Sequence, residues 1–99
     1  MDEIFKALSD QNRRKILTVL KRMGSASVSQ ILSYLSVGQA TVSSHLSVLR
    51  KSGLVEYRVS GKNRIYKLSE RNLSLFVNKL NRFLGEPEKD LPKEIIVRR

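Results

Sequence analysis

The 99-residue chain contains no cysteine, which excludes disulfides and every form of thiolate chemistry, nucleophilic or metal-binding. Its single histidine, His45, leaves no set of imidazoles to build a zinc or nickel site, so no cofactor and no metal ligands are expected. No nucleophile can be paired with a base and no glycine-rich phosphate loop is present, so an enzyme is not expected. No apolar run approaches the length needed to cross a bilayer. The opening residues Met1-Asp2-Glu3 are acidic and unlike a signal peptide, and a cytoplasmic protein with no membrane association is expected.

Negative charge is also scarce. The formal net charge is +10, and between Asn12 and Asn72 the only acids are Glu56 and Glu70. Lys and Arg are clustered rather than spread: Arg13-Arg14-Lys15 and Lys21-Arg22 precede a stretch from Met23 to Leu49 with no charged residue at all. Arg50, Lys51, Arg58, Lys62, Arg64, Lys67 and Arg71 follow it. Such a chain favours a polyanionic partner, which would meet a neutral surface flanked by basic arms.

The neutral stretch is strongly patterned. Val28, Ile31, Leu32 and Leu35 recur at helical spacing behind Ser27, a plausible N-cap. After Ser36-Val37-Gly38, where glycine permits a tight reversal, Val42, Leu46 and Leu49 make a second buried stripe that Gly53 and Leu54 terminate. With that stripe turned inward, a step of about 100° per residue leaves Ala40, Ser44, Ser47 and Lys51 outside, flanked by Thr41 and Ser43, with Gln39 at the N-terminal end. Short polar groups of this kind let a helix backbone approach the major groove and hydrogen-bond to base edges or phosphates. On an isolated helix they would describe only a solvated face; the turn before it and the basic segment after it favour DNA.

That basic segment reads as a hairpin. Val55, Tyr57 and Val59 alternate on one face of a first strand, Arg64-Ile65-Tyr66-Lys67-Leu68 is a second β-prone run, and Ser60-Gly61-Lys62-Asn63 is the turn. Arg58, Lys62, Asn63 and Arg64 at this wing are placed to follow a phosphate backbone, although exposed lysines also serve to protect sheet edges.

Further helices bracket the unit. Ile4, Phe5 and Leu8 mark the first; Ser9-Asp10 caps a second, whose stripe is Ile16, Leu17, Leu20 and Met23 before Gly24. Ser69 opens a last helix that Gly85 and Pro87 close, with Leu73, Phe76, Val77, Leu80, Phe83 and Leu84 on its apolar face. A chain this short has little core to cover that face together with Ile4, Phe5 and Leu8. A symmetric homodimer through the first and last helices is therefore expected, presenting two reading helices to a palindromic double-stranded operator; the alternative is a last helix folded onto its own domain. Residues 1–85 form the expected domain, of mainly α class with a small β-hairpin in the order α-α-α-α-β-β-α, and residues 86–99 an expected polar, flexible tail.

The opening IFKALSDQNRRKIL, the helix QATVSSHLSVLRKSGLV and the wing YRVSGKNRIYKL together resemble the ArsR/SmtB family of winged helix-turn-helix repressors over about residues 3 to 84. The resemblance implies a homodimer that occludes a promoter and releases it on a signal. It also implies that Gln39, Ala40, Thr41, Ser43 and Ser44 approach the major groove while Lys62 and Arg64 reach the backbone or adjacent minor groove. The chain departs from the family pattern at Gln11, where proline is common, and at Ser44, where histidine is. It also lacks the thiolates and the aspartate and histidine pairs with which many relatives bind metals, so no direct response to zinc, nickel or cobalt is expected. His45, on the flank of the buried stripe, reads as a packing or phosphate-contacting residue. A basic winged-helix RNA-binding or protein-interaction module is the competing reading; RNA recognition would call for aromatic stacking platforms, whereas Tyr57 and Tyr66 read as strand residues.

Overall fold

The computed structural model describes residues 1–85; the tail expected over 86–99 lies outside the described residues. Helices α1 (Asp2–Leu8) and α2 (Gln11–Met23) lead through a two-residue strand β1 (Ala26–Ser27) into α3 (Val28–Leu32) and α4 (Gln39–Lys51). The wing strands β2 (Val55–Ser60) and β3 (Asn63–Leu68) follow, and α5 (Glu70–Leu84) closes the chain. The sheet is antiparallel in the order β1-β3-β2, with Ala26 opposite Tyr66 and Tyr57 opposite Tyr66 on its other side. The hairpin expected from sequence thus gains a third strand. Two residues are too few to carry a period, and β1 was hidden between Gly24 and the cap of α3.

Each helix from α2 onward except α4 starts where a side chain can satisfy its free N–H groups. Asp10 accepts from the N–H of Asn12 at 2.8 Å and of Arg13 at 3.1 Å. Ser27 and Gln30 form a reciprocal capping box, and Ser69 accepts from Asn72. The reversal between α3 and α4 differs from expectation. Gly38 sits at φ −79°, ψ 169°, an extended conformation open to any residue, so its special freedom is unused. Instead the chain turns directly after Leu32, with Tyr34 donating to Ile31 and Leu35 to Leu32, which puts Leu35 beyond the helix and half-buried. Gly53, by contrast, is at φ 87°, and its carbonyl accepts from the Asn72 side chain at 2.9 Å, tying the end of α4 to the first turn of α5.

The core joins α2, α3, α4 and the sheet: Ile16, Leu20, Ile31, Val42, Leu46, Leu49 and Leu54 are fully enclosed, with Ala7, Val55, Tyr66 and Leu68 around them. Met23, placed on the buried stripe of α2, is exposed instead, because the helix runs past the edge of that core. Val59 is likewise 69 % exposed, so only the base of the wing is packed and its outer half projects freely. The two-residue reversal Gly61-Lys62, with Gly61 at φ 63° and Ser60 paired to Asn63, matches the twist of the strands and keeps that projection short.

Helix α5 joins this packing only loosely, with Leu73 resting against the core as Ile4 and Leu8 of α1 do. None of its residues is buried: Leu73, Phe76 and Leu80 are half-covered, whereas Val77 is 49 % and Phe83 and Leu84 are 70 % exposed. Phe5 of α1 meets Phe76 edge-on at 5.7 Å, and this pair marks where α1 and α5 share one apolar surface.

The Asp10 cap carries a pH dependence. The Arg13 N–H foremost holds its carboxyl below the ordinary carboxylate range; burial opposes this, and His45, the Asn12 N–H and the Arg13 charge reinforce it. A depressed folded-state pKa contributes stability that is complete above about pH 4 and is lost as pH falls through the lower folded value. Melting curves from pH 7 to below 3 should show a fall in midpoint in that acid range that is smaller for Asp10→Asn. Equal falls in the two proteins would remove Asp10 as the cause.

Candidate nucleic-acid interface

Helix α4 divides cleanly. Val42, Leu46 and Leu49 are fully buried, while Gln39, Ala40, Thr41, Ser43, Ser44, Arg50 and Lys51 are exposed and Ser47 is half-buried. No side chain caps its N-terminus, so the first N–H groups are left beside Gln39. Between α4 and the wing runs a groove of about 370 Å³. Gln39, Ser43, Ser47 and Arg50 line it from the helix, and Lys62, Asn63, Arg64 and Tyr66 from the wing, with Val28 and Ser29 at one end. Three cations border this groove and no carboxylate does.

The structure therefore brings together six residues singled out from sequence: Gln39, Ser43, Ser47, Lys62, Asn63 and Arg64. Ala40, Thr41, Ser44 and Lys51 lie outside the groove on the exposed surface of the same helix. Arg58 is separated from them. Strand alternation places it with Ile65 and Lys67 on the opposite face of the hairpin, where Lys67 pairs with Glu56 at 3.6 Å. Arg50 was missed as a site residue, although the spacing Ser43, Ser47, Arg50 continues one helical row toward the wing. Tyr57 and Tyr66 are strand residues as expected, their rings tilted by 45° with centres 5.4 Å apart, and the guanidiniums of Arg64 and Arg50 lie 4.5 Å and 5.8 Å from the Tyr57 ring centre.

His45 faces α2. Its Nδ1 is 3.2 Å from Arg13 Nη1 and its Nε2 is 3.8 Å from the Asp10 carboxylate. The same Arg13 donates through Nε to the carbonyl of Ala7 at 2.7 Å and through Nη2 to that of Lys6 at 3.1 Å. One guanidinium thus binds the end of α1 to the middle of α4. Among the described residues, no three His, Cys, Asp or Glu side chains converge and no helix is long and apolar enough to cross a membrane.

Residues 10–57 match the model of the family described as "Bacterial regulatory protein, arsR family". The transcriptional repressor SdpR of Bacillus subtilis is 30 % identical over 91 residues, which cover 92 % of this chain and all of that protein. The chain belongs to the ArsR family. A cadmium resistance regulatory protein CadC homolog of Staphylococcus aureus is 36 % identical over 77 residues, which cover 78 % of this chain and only 64 % of the relative. Among solved structures, an ArsR-like regulator from Rhodococcus sp. RHA1 superposes with a TM-score of 0.75 at 33 % identity, over 83 % of this chain and 74 % of that one. The winged helix-turn-helix DNA-binding domain of Mb0332 from Mycobacterium bovis, described as homodimeric, does so with a TM-score of 0.69 at 25 % identity, over 84 % and 76 %. This ArsR-family protein is accordingly a DNA-binding transcriptional regulator with a winged helix-turn-helix fold, α4 and the β2-β3 wing occupying the positions inferred from sequence.

Proposed function

We propose that this regulator is a cytoplasmic homodimeric repressor that occludes a promoter by setting α4 of each protomer into successive major grooves of a palindromic operator. The observation that carries this reading is the groove between α4 and the wing, with neutral hydrogen-bonding side chains along the helix and uncompensated cations at its rim. Gln39, Ala40, Thr41, Ser43, Ser44 and Ser47 approach base edges, and Lys51, Lys62, Asn63 and Arg64 hold the backbone. Arg58, on the outer face of the wing, acts only on the strand that passes beyond it. The dimer forms through Ile4, Phe5, Leu8, Leu73, Phe76, Val77, Leu80, Phe83 and Leu84. The exposure of α5 supports that assembly, and so does the homodimeric state named for the M. bovis domain. Residues 1–85 suffice for binding. Release does not come from direct metal binding, since the chain offers no thiolate and only one imidazole, on the reading helix.

The test separates base reading from backbone attraction. Gln39→Ala or Ser44→Ala should weaken binding to the operator, located by footprinting upstream of the regulator's own gene, by about 1–3 kcal/mol while leaving random duplex nearly unaffected. Lys62→Ala or Arg64→Ala should weaken binding to every sequence and shallow the slope of log K against log salt by about one for each phosphate no longer neutralised. Micromolar zinc or a chelator added to the same titrations should change nothing. Equal effects of both groups of variants on random duplex would mean that α4 does not read bases, and a ten-fold shift with metal would mean that the protein senses it.

A further inference from the structure

Arg50 and Arg64 come from different elements, α4 and β3, yet both guanidiniums rest against one ring, that of Tyr57 on β2. Like charges on facing walls of a groove repel and would splay apart in water. Among the described residues, the ion pairs join only His45 to Asp10 and Lys67 to Glu56, so no carboxylate holds either arginine in place. The negative face of an aromatic ring can do so, because its quadrupole attracts a cation at 4.5 Å and more weakly at 5.8 Å without neutralising it. Tyr66, directly opposite on β3 and 5 % exposed, packs beside the ring at a 45° tilt with ring centres 5.4 Å apart.

We propose that Tyr57 is a positioning residue that seats Arg50 and Arg64 as a two-guanidinium clamp for the phosphates of one DNA strand. The proposal rests on the reading that the groove between α4 and the wing faces DNA. An ion pair would have held the arginines equally well but would have cancelled the charge that the phosphate needs. Seating on a ring keeps both forks charged; the Tyr66 hydroxyl takes one hydrogen bond from Arg64 and leaves its remaining N–H groups, with the fork of Arg50, for phosphate. The clamp also makes the angle between wing and α4 part of the phosphate site.

Anisotropy titrations of the full chain with a random-sequence duplex, repeated over a salt series, test this, with circular dichroism melts as the folding control. Tyr57→Leu keeps an apolar strand residue but no aromatic face, and should weaken binding on the order of ten-fold and shallow the salt slope by about one to two. Tyr57→Phe keeps the face and should restore both to within about two-fold of the starting protein. Combining Tyr57→Leu with Arg50→Ala and Arg64→Ala should cost little more than the two arginine changes alone, because the ring acts only through them. Should Tyr57→Leu fail to fold, Arg50→Ala and Arg64→Ala decide the matter: each must shallow the slope by about one, and together by no more than the clamp as a unit. Unchanged slopes in the folded variants, a Tyr57→Phe protein as weak as Tyr57→Leu, or a Tyr57→Leu loss that adds in full to that of the two arginine changes overturns the clamp. If those results accompany normal salt-dependent binding by the unaltered protein, the reading of the groove as a DNA face survives; if the unaltered protein shows no such binding, both fall.

Discussion

Leu80→Glu or Phe83→Glu is expected to yield a folded monomer whose operator affinity is lower on the order of 100-fold or more. Leu80 is half-covered and Phe83 is 70 % exposed within a single protomer, so neither supports the core around Leu46 and Ile16. In a two-fold interface every substitution occurs twice. Each apolar side chain removed takes away about 1.5–3 kcal/mol of burial, and each introduced carboxylate would have to be desolvated without a partner. Phe76 is a less clean probe because it already meets Phe5 of its own chain at 5.7 Å. Sedimentation velocity, with circular dichroism as the folding control, reads the outcome. Dimers that persist and bind operator normally would place the interface elsewhere.

Arg13→Ala should lower stability by about 3 kcal/mol, more than any exposed arginine is worth. Three of its nitrogens are engaged, at 2.7 Å and 3.1 Å with carbonyls at the end of α1 and at 3.2 Å with His45 on α4. Truncation strands the Ala7 carbonyl and one imidazole nitrogen in a partly buried seam, where charge-assisted bonds are stronger than neutral ones, while the Lys6 carbonyl keeps Ser9 as a donor. Arg13→Lys should recover little of this, since an ammonium on a flexible stem cannot reach three acceptors spread over two helices. Urea unfolding measures the loss. A stability change below about 1 kcal/mol would show that α1 is held by Ala7, its apolar neighbours and the bond from Arg14 to the Leu8 carbonyl without help from Arg13. The backbone amides of α1 should exchange faster in Arg13→Ala, because the brace that joins it to α4 has gone.

Much of this architecture was legible because its signals are periodic or local. The stripe Val42, Leu46, Leu49 placed α4 and fixed which side chains stay outside; Asp10, Ser27 and Ser69 each marked a helix start that the structure retains. The wing followed from alternation and from Gly61, whose positive φ the turn requires. What escaped depends on distance along the chain. β1 exists only because Ala26 and Ser27 meet Tyr66 and Ile65, far along the sequence. The bridge from Arg13 to His45 spans 32 positions, and no pattern within either helix announces it. Arg58 and Arg64 look equivalent in a basic hairpin, yet the pleat sends them to opposite faces, and only the site of packing against α4 decides which one borders the groove. Gly38 illustrates the opposite error, a residue whose conformational freedom invited a role that the fold does not use.

On the proposed dimer, a helix left largely uncovered until a second copy arrives would make the protein a gauge of its own abundance. Below the dissociation constant of the pair, most chains would carry α5 uncovered and engage only half of a two-fold site. Occupancy of the operator would then climb with the square of chain concentration rather than in proportion to it. Where the operator precedes the regulator's own gene, synthesis would run nearly unchecked while copies are few and close sharply once they can pair. The number of molecules per cell would thus be set by the affinity of one apolar surface for itself, and substitutions on α5 far from any base would retune that set point without altering which sequence is read.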